Sequence, residues 1–401
     1  MPTSIRISPP SPRHTGYRGV PMLALGFRPF YLLAAAFGVI AIAAWVAIYL
    51  GWWQPASRPW LGAMVWHAHE MVFGFAAAVV VGFLFTAGKN WTGQQTPQGA
   101  WLGALAGVWL AARVLMWSGP AWLAIALDLV FLPLCAASFY RLLRRARNHR
   151  NIGLALALGV LGALNLAFHV AAGRGDLGGA LRVTEAATGL ITLFITVIGG
   201  RVIPMFTANA VPGVTIRRSA WVERVVVAAT LLAIVAHSAH APAFAVVPLA
   251  LAAAATHAVR LAGWDPLRTL RTPLVAILHV AYAFLPLGFA LLAGAAVGWL
   301  DGSTALHALT VGAIACAILA MITRTALGHT GRRLATGRIE HLAYASIVLA
   351  ALVRVLGPLA LPAFKPYAIG AAGMLWVAAF VLYLVKYAPY LSRARVDGKE
   401  G

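Results

Sequence analysis

Apolar runs of roughly 18 to 25 residues, each long enough to cross a bilayer, recur about twelve times along this chain. Each is bounded by Gly, Pro or Arg. In lipid every backbone N–H and C=O must find its partner within the segment, so such runs fold as helices. The expected fold is all-α: a polytopic transmembrane helix bundle forming a single domain over residues 1–401. Its spans are expected near 28–50, 65–87, 99–117, 121–142, 152–172, 181–205, 220–238, 242–261, 273–297, 304–325, 341–361 and 366–387. The chain is 61% hydrophobic and only 10% charged. A soluble domain carries about 25% charged residues. The bilayer must therefore be the solvent.

The positive-inside rule orients the bundle. One set of connections is rich in arginine: Arg6, Arg13 and Arg18; then Arg141, Arg144, Arg145, Arg147 and Arg150; then Arg217, Arg218 and Arg224. Arg268 and Arg271, Arg332, Arg333 and Arg338, and finally Arg393 and Arg395 continue the series. The alternate connections are poor: 239–241 and 298–303 carry none, and 51–60 only Arg58. Arg174 and Arg182, in the connection around 173–182, run against the pattern. Both termini are expected to face the cytoplasm. The first two dozen residues are basic and Pro-rich and lack a signal-peptide core, so no cleavage is expected.

The excess of 31 Lys+Arg over 10 Asp+Glu would suggest nucleic acid in a soluble protein. Here it follows from loop position, and no nucleic-acid motif accompanies it. Cys135 and Cys316 lie in apolar runs with no CxxC, which excludes a disulfide framework and a zinc ribbon.

Ionisable groups inside spans are costly and are candidates for function. The topology gathers most of them at one depth, in the outer half: His67, His69, Glu70, Arg113, Asp128, His169, Glu185, His307 and Arg354. His279 falls in the inner half, and Arg201 and Arg324 at inner ends, where they read as snorkelling anchors. His329 reads as a residue of a Gly-flanked turn. His14, His149, His237, His240, His257 and His341 lie at termini, loops or span ends and are set aside.

One interfacial histidine is more often a helix-packing hydrogen bonder than a ligand. Four at one depth favour a cofactor site. Within HAHE (67–70), helical geometry sets His67 and His69 about 200° apart, so they serve opposite sides of the span. Glu70, about 60° from His67, is expected on the His67 face, as an orienting acceptor or a ligand. Met71 is a soft-ligand candidate or a packing residue. An H-x-H holding cofactors on both sides of one membrane helix is similar to the arrangement in haem–copper oxidases. Imidazole suits haem iron and copper. Haem propionates need cations, and Arg113 and Arg354 have the right depth. Arg113 has the alternative of pairing with Asp128 across the hairpin of the third and fourth spans.

GFRPFYLLAAAF (26–37), WHAHEMVFGFAAAVVVGFLFTAGKNWTG (66–93), NLAFH (165–169), GGRVIPMFTANA (199–210), HVAYAFLPLGF (279–289) and LHALTVGAIACAILAMITRTALGHTGR (306–332) run in order along nearly the whole chain. Together they resemble the NnrS family, bacterial haem- and copper-containing membrane proteins associated with nitric oxide stress. The resemblance implies a twelve-helix protein of the bacterial inner membrane with haem b and copper. By motif position it carries over His67, His69, Glu70, His169, Arg201, His279, His307, Arg324 and His329; Glu185 lies outside the motifs. The expected metal ligands are His67, His69, His169, His307 and His329. His279, Arg113 and Arg354 are expected to join the cofactor contacts, Glu70 to be catalytic, and Arg201 and Arg324 to be structural or gating. The expected function is binding and reduction or removal of nitric oxide, with electrons from a quinol or a periplasmic carrier. A non-catalytic NO-binding or metal-trafficking protein and a twelve-helix transporter are the alternatives.

Overall fold

The computed structural model describes residue 17, residues 19–55 and residues 59–399. Arg6, Arg13, His14, Arg18 and Arg58 lie outside the described residues. Among the described residues, twelve helices are long and apolar enough to cross a membrane. They are α1 (Phe27–Tyr49), α2 (Ala63–Thr92), α3 (Gly99–Ser118), α4 (Ala121–Arg145), α5 (His149–Gly173) and α6 (Leu177–Ala210). They continue as α7 (Ala220–Ser238), α8 (Ala243–Ala262), α9 (Pro273–Ala296), α10 (Gly302–His329), α11 (Arg338–Ala360) and α12 (Pro362–Ser392). No strand occurs among the described residues.

The longer helices overrun the expected spans at their polar ends, because the backbone stays helical past the apolar core. Two expectations change as a result. Arg182 is in the second turn of α6 and not in a connection; it pairs with Asp176, which caps that helix through the Gly179 amide. His329 is the last residue of α10 and not part of a turn. Glu340, one residue before the expected span, falls in the first turn of α11, as Glu223 does in α7.

Burial separates the helices. In α2, 83% of the apolar window is buried and in α10 67%, against 28% in α7 and α8. The motif-bearing helices therefore form the centre and α7 and α8 the lipid-facing rim. The chain closes on itself where it begins and ends: Arg28, fully buried in α1, donates to the carbonyls of Leu391 (2.9 Å) and Arg393 (2.7 Å) at the end of α12. A cation on the last carbonyls of a helix satisfies groups that have no partner within the helix. Both ends of the helical bundle thus lie on one side, here called the terminal end.

Two helices contain π-helical stretches, Glu70–Ala76 in α2 and Ala308–Ala315 in α10. Each starts at the residue after a candidate ligand, His69 or His307. Such stretches re-aim side chains and are frequent at functional sites. Neighbours take up the disturbed carbonyls: Trp109 Nε1 donates to Gly74 O (3.1 Å), and the Cys316 thiol to Val311 O (3.5 Å). Gly312 is required because a Cβ there would strike the Phe284 ring.

The arginine-rich connections after α4, α6, α8, α10 and α12 belong to the terminal end, the end that the charge rule predicts to face the cytoplasm. A reporter fused at the C-terminus is expected to read as cytoplasmic. A periplasmic reading would invert every depth assigned from the sequence.

Candidate functional site

The polar residues of the outer layer do gather at one end, opposite the termini, but in two groups on either side of α2. The first is a chamber of about 360 Å³ between α1, α2, α6, α10, α11 and α12. His67, His307, Arg354 and Glu185 line it among apolar walls that include Trp45 and Trp376. Small-molecule sites are of this kind, about 300–1,000 Å³, largely apolar and with few polar groups.

The His67 ring stacks on Trp45, with centroids 4.2 Å apart at 20°. Its Nδ1 is buried without a hydrogen-bond partner. His307 Nδ1 lies 2.6 Å from the Ser303 carbonyl and 3.1 Å from Arg354 Nη2; the shorter contact, to an oxygen that can only accept, makes Nδ1 the N–H donor. That leaves the Nε2 lone pair free to bind. Metal-binding histidines are commonly fixed in this way, by the second ring nitrogen. Arg354 donates to Ser303 Oγ (2.9 Å), while its Nη1 is buried with no partner. Asp301 caps α10 at the chamber's edge and binds Lys365 (3.0 Å). Burial works against its ionisation, but the bonds from Lys365 and Thr304 outweigh this and hold its carboxyl below the usual range. Glu185 Oε2 lies 3.7 Å from His237 and 3.9 Å from His240. Neither of those histidines had been singled out in the sequence.

The second group fills the other side of α2 and is nearly sealed from solvent. His69 Nδ1 donates to Glu70 Oε1 (2.9 Å). Its Nε2 faces Asn165 Oδ1 at 3.0 Å and Asp128 Oδ2 at 3.2 Å. His169 Nε2 donates to Asp128 Oδ2 (2.8 Å), as does the Asn165 amide (2.8 Å). Arg113 donates to both Glu70 oxygens at 2.8 Å and to Asp128 Oδ1. Two carboxylates thus meet one guanidinium. Both nitrogens of His69 face acceptors, which is the geometry of an imidazolium and closes the charge balance. A metal cation in place of that proton would also close it. Ligand atoms of His69, Asp128 and His169 lie within 4.8 Å of one another.

Two expectations are corrected here. Glu70 is not on the His67 face: it is bent toward His69 and held by Arg113, in the first turn of the π-helical stretch. Arg113 does not face the chamber; its guanidinium is taken by Glu70 and Asp128, the pairing that had been the alternative.

The remaining candidates lie apart. His279 Nε2 donates to Thr207 Oγ1 (2.8 Å), and its Nδ1 is buried without a partner, toward the terminal end. Arg201 binds Asn151 Oδ1 (2.7 Å), a helix-to-helix tie. Arg324 lies over the Phe206 ring at 3.6 Å, and His329 packs on Phe27. His329 is 22 positions beyond His307 on one helix, about 33 Å along the axis, so the two cannot share an ion.

The sequence reading missed a third buried cluster. His257 Nε2 donates to Thr230 Oγ1 (2.9 Å), and Tyr282 donates to His257 Nδ1 (2.8 Å). Arg260 binds Thr196 O (2.7 Å), Tyr282 (3.1 Å) and Glu223. It ties α6, α7, α8 and α9 together. Gly200 belongs to it, since a Cβ there would collide with the Arg260 guanidinium, which accounts for the second glycine of GGR. The available signal was His257 and Arg260 at i and i+3, on one helix face. Asn165 and His169, at i and i+4, carried the same signal.

Compared with known proteins, the chain matches the model of the family described as NnrS protein over residues 21–395. No curated protein matches it.

Proposed function

We propose a function from the premise that this chain belongs to the NnrS family and is a membrane protein of the nitric oxide response. It binds haem b in the chamber and copper in the sealed cluster, and it removes nitric oxide. The observation that carries this reading is the set of unpartnered groups facing the chamber. His67 and His307 each keep a ring nitrogen without a hydrogen bond, and Arg354 keeps an orphaned Nη1. Imidazoles for iron, a cation for propionates and apolar walls are the donor set a haem requires. In the cluster, two imidazoles and a carboxylate suit copper, which ranks high in affinity for such donors.

Haem and copper, when bound, supply NO binding and electron transfer. Reducing two NO to N₂O and water consumes two electrons and two protons. The chain's own residues address the protons. With His69, Asp128 and His169 holding copper, Glu70 stays outside the ligand set, hydrogen-bonded to His69 and Arg113, and is the group that passes protons. The electrons come from a quinol or a periplasmic carrier. The bundle sits in the bacterial inner membrane with its termini in the cytoplasm.

Purified protein is expected to show a haem b spectrum that shifts with NO, and to consume NO steadily with a quinol donor. A haem spectrum without NO consumption would leave an NO-binding or metal-trafficking protein. The absence of any haem from protein purified with iron and haem supplied would return the chain to the transporter class. Glu70→Gln is expected to lower NO consumption at least tenfold, in line with the loss of a positioned acid–base group, while haem content stays unchanged.

A further inference from the structure

The seam between α2, α6 and α10 does not end at the chamber. Below it, toward the terminal end, lies a narrow apolar gap of about 100 Å³, lined by residues such as Val79, Ile195 and Ile318. Below that is a vestibule of about 390 Å³. Arg324, Thr325, Gly328 and His329 of TRTALGHTGR and Phe206 of GGRVIPMFT are in its lining, residues that the haem and copper reading leaves unused.

The vestibule is unusual in its charge. Lys89, Arg324, His329 and Arg395 line it, and no acidic side chain among the described residues does. Arg395 is held by Asp397 at 2.6 Å and donates to the His329 carbonyl (3.2 Å), so it is fixed in place and already has a counter-charge. Arg324 is different. It is half-buried and stacks on Phe206, yet none of its five N–H donors meets a protein acceptor among the described residues. Neither ring nitrogen of His329 hydrogen-bonds there either; the ring's neighbour is Phe27.

A snorkelling arginine would extend along the surface to lipid and water. Arg324 instead lies over the Phe206 ring, 3.6 Å from its centroid, in the wall of a cavity. Its N–H groups open into the vestibule and are available to a ligand. A ligand oxyanion would satisfy them with charge-assisted hydrogen bonds, and a guanidinium fork matches phosphate geometry.

We infer that this vestibule is a binding site for a phosphate-class anion, with Arg324 as the principal donor and Lys89, His329 and Arg395 as its electrostatic surround. Basic pockets between membrane helices on the cytoplasmic side hold lipid headgroups in this manner. Free phosphate offers the same chemistry. The site is independent of the haem and copper reading. Arg324 is 17 positions past His307 along α10, about 25 Å away.

The test uses the full-length protein in two arms. In detergent, inorganic phosphate is titrated against chloride at equal ionic strength while the melting temperature is followed. In nanodiscs, phosphatidylglycerol is compared with phosphatidylcholine. Arg324→Gln and Arg324→Lys are measured beside the parent, the latter keeping the charge but losing the fork.

A phosphate-specific rise that weakens roughly tenfold or more in apparent affinity in Arg324→Gln identifies a free anion. A response to phosphatidylglycerol alone, lost in Arg324→Gln, identifies a headgroup. Arg324→Lys is expected to fall between parent and Arg324→Gln and shows that the site survives substitution. No response in either arm, or a response that Arg324→Gln leaves intact, overturns the assignment. Haem content is unchanged in all variants, so the outcome does not depend on the outer chamber.

Discussion

His67→Ala is expected to leave purified protein with little haem while its copper content stays near the parent level, and His69→Ala to do the reverse. The two histidines are two positions apart, yet they face different surroundings. His67 is in the chamber with Trp45 stacked on its ring and Nδ1 unpartnered. His69 is fully buried among Glu70, Asn165 and Asp128. Removing a direct ligand should cost at least as much as removing a supporting partner, which typically lowers metal affinity about 10- to 100-fold. His307→Ala is expected to follow His67→Ala, because its Nε2 is the other free imidazole nitrogen in the chamber. His279→Ala, bonded only to Thr207 at the far end of the bundle, is expected to keep both centres. Haem by pyridine haemochrome and copper by elemental analysis would decide the matter. If His67→Ala and His69→Ala lose the same single centre and keep the other, the two-sided arrangement is wrong. Full haem in both His67→Ala and His307→Ala would empty the chamber of its proposed cofactor.

The sequence made the two-sidedness legible because helical spacing alone separates His67 from His69. It made the common depth legible because spans alternate in direction, so residues as far apart in the chain as His67 and His307 fall at one end of the bundle. It did not make the position of Glu70 legible. That reading assumed an α-helix through residue 70, and the π-helical stretch begins at that residue. Nor did it assign Arg113: one cation near two carboxylates and a supposed propionate has several partners on paper, and only packing decides. Helix ends were misplaced for a simpler reason. Hydropathy locates the apolar core of a span, while the backbone of α6 stays helical from Leu177 to Ala210, well past it. The cluster of His257, Arg260, Tyr282 and Glu223 stayed hidden because its members come from α7, α8 and α9, and a single sequence does not say which helices are neighbours. The terminal-end vestibule was invisible for the same reason. Arg324 and Arg201 look alike as inner-end arginines, yet one meets Asn151 and the other meets a cavity.

Arg113→Ala is expected to be the most destabilising single change in the sealed cluster, by about 3–5 kcal/mol, the usual cost of removing one partner of a buried ion pair. Among the described residues Arg113 is the only guanidinium on Glu70 and Asp128, and both carboxylates are buried. Without it, His69 alone would face two negative charges in a region that admits little water. Protonation of a carboxylate would relieve the repulsion at the expense of the hydrogen bonds that position His69 and His169. The same group could be removed at much lower cost if its charge were balanced. A variant combining Arg113→Gln with Glu70→Gln keeps one carboxylate against one imidazolium and retains amides where hydrogen bonds are needed. It is expected to recover most of the lost stability, because a satisfied neutral network is often as stable as a buried ionic one. Thermal unfolding in detergent would measure both variants, with copper content read on the same samples. Arg113→Ala that melts like the parent would mean that the cluster is not charge-balanced by this arginine. A combined variant no more stable than Arg113→Ala would place the loss in packing around the Trp109 ring, over which the guanidinium lies at 6.0 Å, and not in charge.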